Sequence, residues 1–143
     1  MAATITGTIK VNVSRGDFAG VYIGDFSYDD THLTKVGTEF MTINGGGGNG
    51  ILPGLLSFNF KFLDLATGLT PVTYTARDVN EFPEYPLLYL ENGVPTQFAI
   101  EVFSASGKDA FAFYDPKIFL FAFRNGTIGG DGDVTLEISE HTF

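Results

Sequence analysis

Cysteine is absent from all 143 residues. That removes disulfides, thiolate metal sites and a cysteine nucleophile from consideration. It does not indicate a compartment, since many exported bacterial proteins also lack the residue. Tryptophan is absent too, and there are only two histidines, His32 and His141. Basic residues are few: Lys10, Arg15, Lys35, Lys61, Arg77, Lys108, Lys117 and Arg124 are scattered and form no run. Against 17 acidic residues they leave a formal net charge of −9. Such a balance favours solubility and repels a phosphate backbone, so neither nucleic acid nor an anionic membrane is expected as a partner. Long hydrophobic runs are missing as well. The densest, residues 118–123, falls far short of the ~20 residues of a membrane-spanning helix. The opening Met1-Ala2-Ala3-Thr4-Ile5 has no basic stretch followed by an apolar core, so no signal peptide is visible. Neither an extracellular nor a cytoplasmic location is indicated.

What is present is aromatic and alternating. Aromatic residues make up 15% of the chain, mostly Phe, while charged residues make up only 17%, below the usual ~25%. Low charge and long alternating runs exclude a disordered chain. The length suits one domain spanning residues 1–143, able to bury roughly two-thirds of its unfolded surface without a metal or crosslink.

The last third organises the reading. Phe111 and Phe113 alternate with Ala110 and Ala112; after Tyr114-Asp115-Pro116-Lys117 comes the apolar run 118–123. Arg124-Asn125-Gly126-Thr127 turns the chain, and Val134, Leu136 and Ile138 alternate with Thr135 and Glu137. These are three strands, and the middle one, apolar on both faces, belongs in mid-sheet with material on each side. Near the N-terminus Ile5, Gly7, Ile9, Val11 and Val13 share one face of a strand over 4–13. After a turn at Ser14-Arg15-Gly16-Asp17, residues 18–28 place Gly20, Tyr22, Gly24, Phe26 and Tyr28 on one face. Glycines on an aromatic face imply a bulge or the close approach of a neighbouring ring. A short strand follows near 36–43. The glycine-rich stretch 44–54 reads as a mobile surface loop.

Residues 55–63 form a strand with Leu56, Phe58, Phe60 and Phe62 on one side and Ser57, Asn59 and Lys61 on the other. A loop over 64–71 and a strand over 72–77 come next. Residues 80–86, with two prolines, are a long acidic and aromatic connection. Asn92-Gly93 implies a hairpin between strands at 87–90 and 96–103, and residues 104–108 turn again. About ten to eleven short strands and no helix predict an all-β, antiparallel β-sandwich, with a closed β-barrel as the alternative.

Several of these stretches also carry a likeness. They are Gly24-Asp25-Phe26-Ser27-Tyr28-Asp29-Asp30, then Leu33-Thr34 with Gly37-Thr38-Glu39, Leu56-Ser57-Phe58-Asn59-Phe60, Tyr74-Thr75 with Asp78, a proline-containing loop and Asn92-Gly93. Over residues 20–103 the chain resembles a family of small, mostly uncharacterised cyanobacterial β-proteins, often exported and sometimes carrying a C-terminal sorting tail. It differs in showing no visible signal or sorting tail. The resemblance implies no activity and no catalytic residue.

Candidate sites are few, and each has a plainer alternative. His32 beside Asp29 or Asp30 could serve a Ser-His-Asp unit, but no strand-turn-helix elbow surrounds a serine, and a solvated turn histidine explains it as well. Asp29 with Asp30, and Asp131 with Asp133 in a glycine-rich turn over 129–133, are candidate metal ligands. Calcium, which takes carboxylate and carbonyl oxygens, is the ion either would hold. Against this, Asp and Gly are ordinary turn formers. No other cofactor is expected. Glu101 and Glu137 could form the facing carboxylates of a glycoside hydrolase, or simply lie on the solvent face of a half-buried sheet. Asn80, Phe82, Tyr85 and Tyr89 are the candidate carbohydrate-binding residues, since sugars stack on flat aromatic faces and bond to amides and acids. The alternative is that Phe82 and Tyr85 fold under the connection and plug one end of the core.

Asn12-Val13-Ser14 and Asn125-Gly126-Thr127 fit the glycosylation triplet, which two chance matches also explain. The scarcity of catalytic side chains points away from an enzyme and toward a binding or surface-structural module, with polysaccharide as its ligand class. A carrier of a small apolar ligand in a Phe-lined cavity and a carboxylate hydrolase are the alternatives. An apolar sheet face bearing Ile118, Leu120 and Ala122 would also allow a homo-oligomer.

Overall fold

Period-two alternation is carried into strand after strand of a computed structural model, which describes residues 4–16, 19–46, 50–63, 71–82, 84–103, 110–114, 118–123 and 127–142. The strands are β1 (Thr4–Gly16), β2 (Gly20–Asp29), β3 (Thr38–Met41), β4 (Asn44–Gly46), β5 (Ile51–Pro53), β6 (Leu55–Leu63) and β7 (Pro71–Thr75). After a 3-10 turn at Ala76–Asp78 come β8 (Leu87–Glu91), β9 (Val94–Phe103), β10 (Ala110–Tyr114), β11 (Ile118–Phe123) and β12 (Thr127–Thr142). The protein is all-β. Among the described residues twelve strands form one sheet in the order β4-β5-β3-β8-β9-β10-β11-β12-β1-β2-β6-β7. Neighbours are antiparallel except β3 and β5, which meet in a parallel bridge at Met41 and Leu52.

The sheet curls until its inner face packs on itself. Rings from β6 and β7 on one wing meet rings from β9, β10 and β11 on the other. Phe58 contacts Phe98 at 5.1 Å, Phe60 contacts Phe113 at 5.2 Å, Phe62 contacts Phe119 at 5.2 Å and Tyr74 contacts Phe111 at 4.9 Å between centroids. All four pairs are edge-to-face, the arrangement that the ring quadrupole favours. β9 and β12, three places apart in the order, also touch, so the curl is tight there. The Phe rings proposed to line a ligand cavity make these contacts with one another across the wings.

The inner faces are those the alternation predicts. Ile5, Ile9, Val11 and Val13 of β1 and Phe26 and Tyr28 of β2 are buried. Gly24 lies opposite Phe60; a Cβ there would stand 2.3 Å from the Asn59 carbonyl oxygen and 3.2 Å from the Phe60 ring, so the glycine marks a close approach. Strand β11 lies in mid-sheet between β10 and β12. Phe119 and Phe121 are buried, whereas Ile118 on the other face is 38% exposed. Asn92 and Gly93, at φ 51° and 83°, form the expected two-residue hairpin between β8 and β9.

Four local expectations are corrected. The stretch 44–54, read as a mobile loop, contributes β4 and β5, with Asn44 paired to Pro53 and Gly46 to Ile51. Leu56 does not join the Phe face. The β2–β6 register skips it, pairing Ser27 with Ser57 and Tyr28 with Leu55. This bulge buries Leu55 and turns Leu56 outward at 55% exposure. The strand expected over 72–77 ends at Thr75 and becomes the 3-10 turn. The glycine-rich segment 129–133 is not a turn but part of β12. Gly130 and Gly132 are needed there because a Cβ would stand 2.3 Å from the Arg15 carbonyl oxygen and 2.0 Å from that of Asn12, respectively. The loop at 64–70, the turns at 104–109, 115–117 and 124–126, and Pro83 lie outside the described residues.

Candidate functional site

The connection from β7 to β8 builds two depressions, one on each side of itself. Its start is held by Asp78, whose carboxylate accepts the Thr75 N–H at 2.8 Å. The Val79 N–H then donates to the Ala76 carbonyl at 3.2 Å, and the Val79 side chain is buried. Because β8 pairs with β9 only as far as Ala99, the remaining edge of β9 needs another partner. Asn80 supplies it, donating its backbone N–H to the Glu101 carbonyl at 2.7 Å. Glu81 then adopts φ 64°, and its carbonyl accepts the N–H groups of Glu84 at 2.9 Å and Tyr85 at 3.3 Å. A non-glycine residue in the left-handed region is uncommon and costs about 1–2 kcal/mol.

This path sets Asn80, Glu81 and Tyr85 against Glu101 of β9 and Phe113 and Tyr114 of β10, around a depression of about 190 Å3. An adjoining depression of about 160 Å3 shares Glu101 and Tyr114 and continues over Ala110, Ala112 and Leu120 to Phe103. Register explains the trough: Ala112 stands between Glu101 and Leu120 across β9, β10 and β11, and a methyl group between larger side chains leaves a hollow. Burial first, and the Glu101 carboxylate second, push the Tyr114 phenol up from its ordinary value. It is therefore a protonated donor at neutral pH.

Of the four residues predicted to bind sugar, Asn80 and Tyr85 are brought together here. Phe82 faces the other side of the connection, in a depression of about 480 Å3 with Arg77, Ser57, Asn59 and Thr75. Phe82 and Tyr85 both pack against the core and keep part of each ring exposed. Tyr89 is elsewhere: on β8 it packs edge-to-face on Phe40 of β3, at 4.9 Å between centroids.

The two carboxylate pairs proposed as alternative metal sites lie apart from each other. Asp29 lies across from Thr4 and Asp131 across from Arg15, at opposite ends of β1. Asp29 accepts the Thr31 hydroxyl and, at 2.7 Å, the Thr31 amide; these bonds, the hydroxyl's first, hold its carboxyl below the usual range. Thr31, rather than His32, is thus its hydrogen-bond partner. Asp30 pairs with Lys35 at 3.0 Å, and Asp131 with Arg15 at 2.9 Å. Asp133 stands on the outer face of β12, between Asn12 and Ile118. Among the described residues no group of three or more His, Asp or Glu converges as metal ligands would. Glu137 is exposed on β12 and borders neither of the depressions that Glu101 lines. Asn125 and the side chain of His141 lie outside the described residues.

Tyr114, Glu81 and Arg77 are site residues that the sequence reading missed. Alternation does put Tyr114 on the Ala110–Ala112 face, opposite the buried phenylalanines, so its outward direction was available. The left-handed turn at Glu81 and the pairing of Asn80 with Glu101 carry no local signal. No family model, curated protein or solved structure matches the chain.

Proposed function

We propose that the chain is a non-catalytic binding module and that its ligand is a stretch of polysaccharide seated on the outer face of β9, β10 and β11. The observation that carries this reading is the convergence of Asn80, Glu81, Glu101, Tyr85 and Tyr114 on one depression. A sugar ring presents hydroxyls that both donate and accept, and an apolar face of C–H groups. An amide, carboxylates and phenols answer the first, and aromatic rings answer the second. The volume of about 190 Å3 is below the ~300 Å3 at which drug-sized pockets begin, so it suits one sugar unit rather than a whole small ligand. The adjoining hollow of about 160 Å3 extends the seat along a polymer. Glu81 and Glu101 are exposed, whereas a general acid is usually held protonated by burial.

A glycan array read with calcium and again with chelator tests the proposal, followed by Glu101→Gln and Tyr114→Phe. The expected result is binding that survives the chelator and weakens about tenfold in each variant, the scale of one or two lost hydrogen bonds. Binding that vanishes with the chelator would instead assign the ligand to a calcium site at Asp29 and Asp30 or at Asp131 and Asp133. Silence in both conditions would overturn polysaccharide as the ligand class.

A further inference from the structure

The depression on the other side of the connection has a different chemistry. Ile43, Leu56, Phe58 and Phe82 give it an apolar lining, and Ser57, Asn59, Thr75 and Arg77 supply its polar groups, around about 480 Å3. Among the described residues no carboxylate lines it, in a chain whose net charge is −9. Asp25 and Asp78 lie outside this lining and are engaged, Asp25 by the Asn59 amide at 2.8 Å and Asp78 by the Thr75 N–H at 2.8 Å. Among the described residues the ion pairs are Arg15 with Asp131 and Lys35 with Asp30, and Arg77 enters neither. Its guanidinium instead lies over the Phe82 ring, 5.5 Å from the centroid. That contact holds the cation at the rim and leaves its N–H groups free to take an anion. Leu56 reaches the site only because the bulge in β6 turns it outward.

We infer that this depression is a second ligand site, for a small organic carboxylate with an apolar or aromatic body. Arg77 binds the carboxylate through paired N–H bonds, the geometry in which guanidinium outperforms ammonium. Leu56 and Phe82, lining side chains with exposed surface, take the apolar body. An apolar lining with a few placed polar groups, and a volume within ~300–1,000 Å3, are the ordinary marks of a small-molecule pocket. The inference stands independently of the polysaccharide reading, because none of these residues borders the depression at Glu101.

An 1H–15N NMR titration of the full chain with 2-naphthoate, and in parallel with the neutral 2-naphthalenemethanol, tests it. Saturable shifts centred on residues 56–59, 75–77 and 82 are expected, with the acid binding at least tenfold more tightly than the alcohol. Arg77→Gln should bring the acid down to the alcohol's affinity, and Arg77→Lys should keep part of the difference. Arg77 is exposed, so both variants should retain the wild-type spectrum away from the site. Equal affinity for acid and alcohol, shifts centred on 99–101 and 110–114, or no saturable shift would each overturn the assignment.

Discussion

Gly7 and Phe26 are cross-strand partners, and the Phe26 ring occupies the space a side chain at Gly7 would need. A Cβ at Gly7 would stand 2.3 Å from Phe26 Cζ and 2.8 Å from the Glu137 carbonyl oxygen. The ring cannot swing clear, because it packs edge-to-face on Phe98 at 5.4 Å and stacks with Tyr28 at 6.2 Å. The same pairing of glycine with phenylalanine recurs at Gly24 and Phe60, Gly130 and Phe121, and Gly132 and Phe119. At Gly24 and Gly130, as at Gly7, the ring of the paired phenylalanine lies against bare backbone. Gly7→Ala should therefore destabilise the fold by about 1–3 kcal/mol. A urea midpoint equal to wild type would contradict this.

Tyr28 is wholly buried, and its hydroxyl has no hydrogen-bond partner among the described residues. An orphaned buried hydroxyl costs about 1–3 kcal/mol, so Tyr28→Phe should raise the urea midpoint at neutral pH. Burial, and secondarily Asp30, push the phenol from 10.0 up to about 12. The raised value means that between pH 10 and 12 the unfolded chain loses this proton first. Stability from this group is thus complete below pH 10 and is lost as pH rises through 12. The gap between variant and wild type should widen across that window; a constant gap would refute the assignment.

The β8–β9 hairpin is tied to the segment before β3. Asn92 Oδ1 accepts the Gly37 N–H at 2.8 Å, and the Asn92 N–H donates to the Gly37 carbonyl at 2.9 Å. Asn92→Ala keeps the backbone bond but removes the side-chain acceptor and a residue tolerant of positive φ. Thermal or urea unfolding should register a loss of about 1–2 kcal/mol. Gly93→Ala should also destabilise, since at φ 83° its Cβ would stand 2.8 Å from Lys35 Cγ.

Strain at Glu81 separates binding from stability. Glu81→Gly relieves the left-handed conformation, and stability should rise by about 1 kcal/mol. The same change removes a carboxylate from the depression at Glu101, so the polysaccharide binding proposed above should weaken while the melting temperature rises. A variant that is both less stable and binds normally would reverse this account.

Legibility in the sequence followed the range of the interaction. Strand faces such as Phe58-Phe60-Phe62 were readable because successive side chains leave a strand on opposite sides. The Asn92-Gly93 hairpin was readable because few residue pairs tolerate two positive φ angles. Leu56 was misread because a bulge shifts the period by one, and its cause lies in the register with β2. The glycines of 129–133 were misread as a turn because the carbonyls of Arg15 and Asn12 that require them are more than a hundred residues away.

By itself, then, the sequence determined that the protein is all-β, which residues face inward along most strands, and where one tight hairpin turns. Those outcomes follow from local sterics and from the need to bury alternate apolar side chains. Only the tertiary structure decided that Asn80 and Tyr85 join Glu101 and Tyr114 while Phe82 joins Arg77 and Ser57. It also decided that Asp29 and Asp131 lie at opposite ends of β1. These juxtapositions depend on strand order and on the packing of rings between the wings, and a period of two carries no information about either.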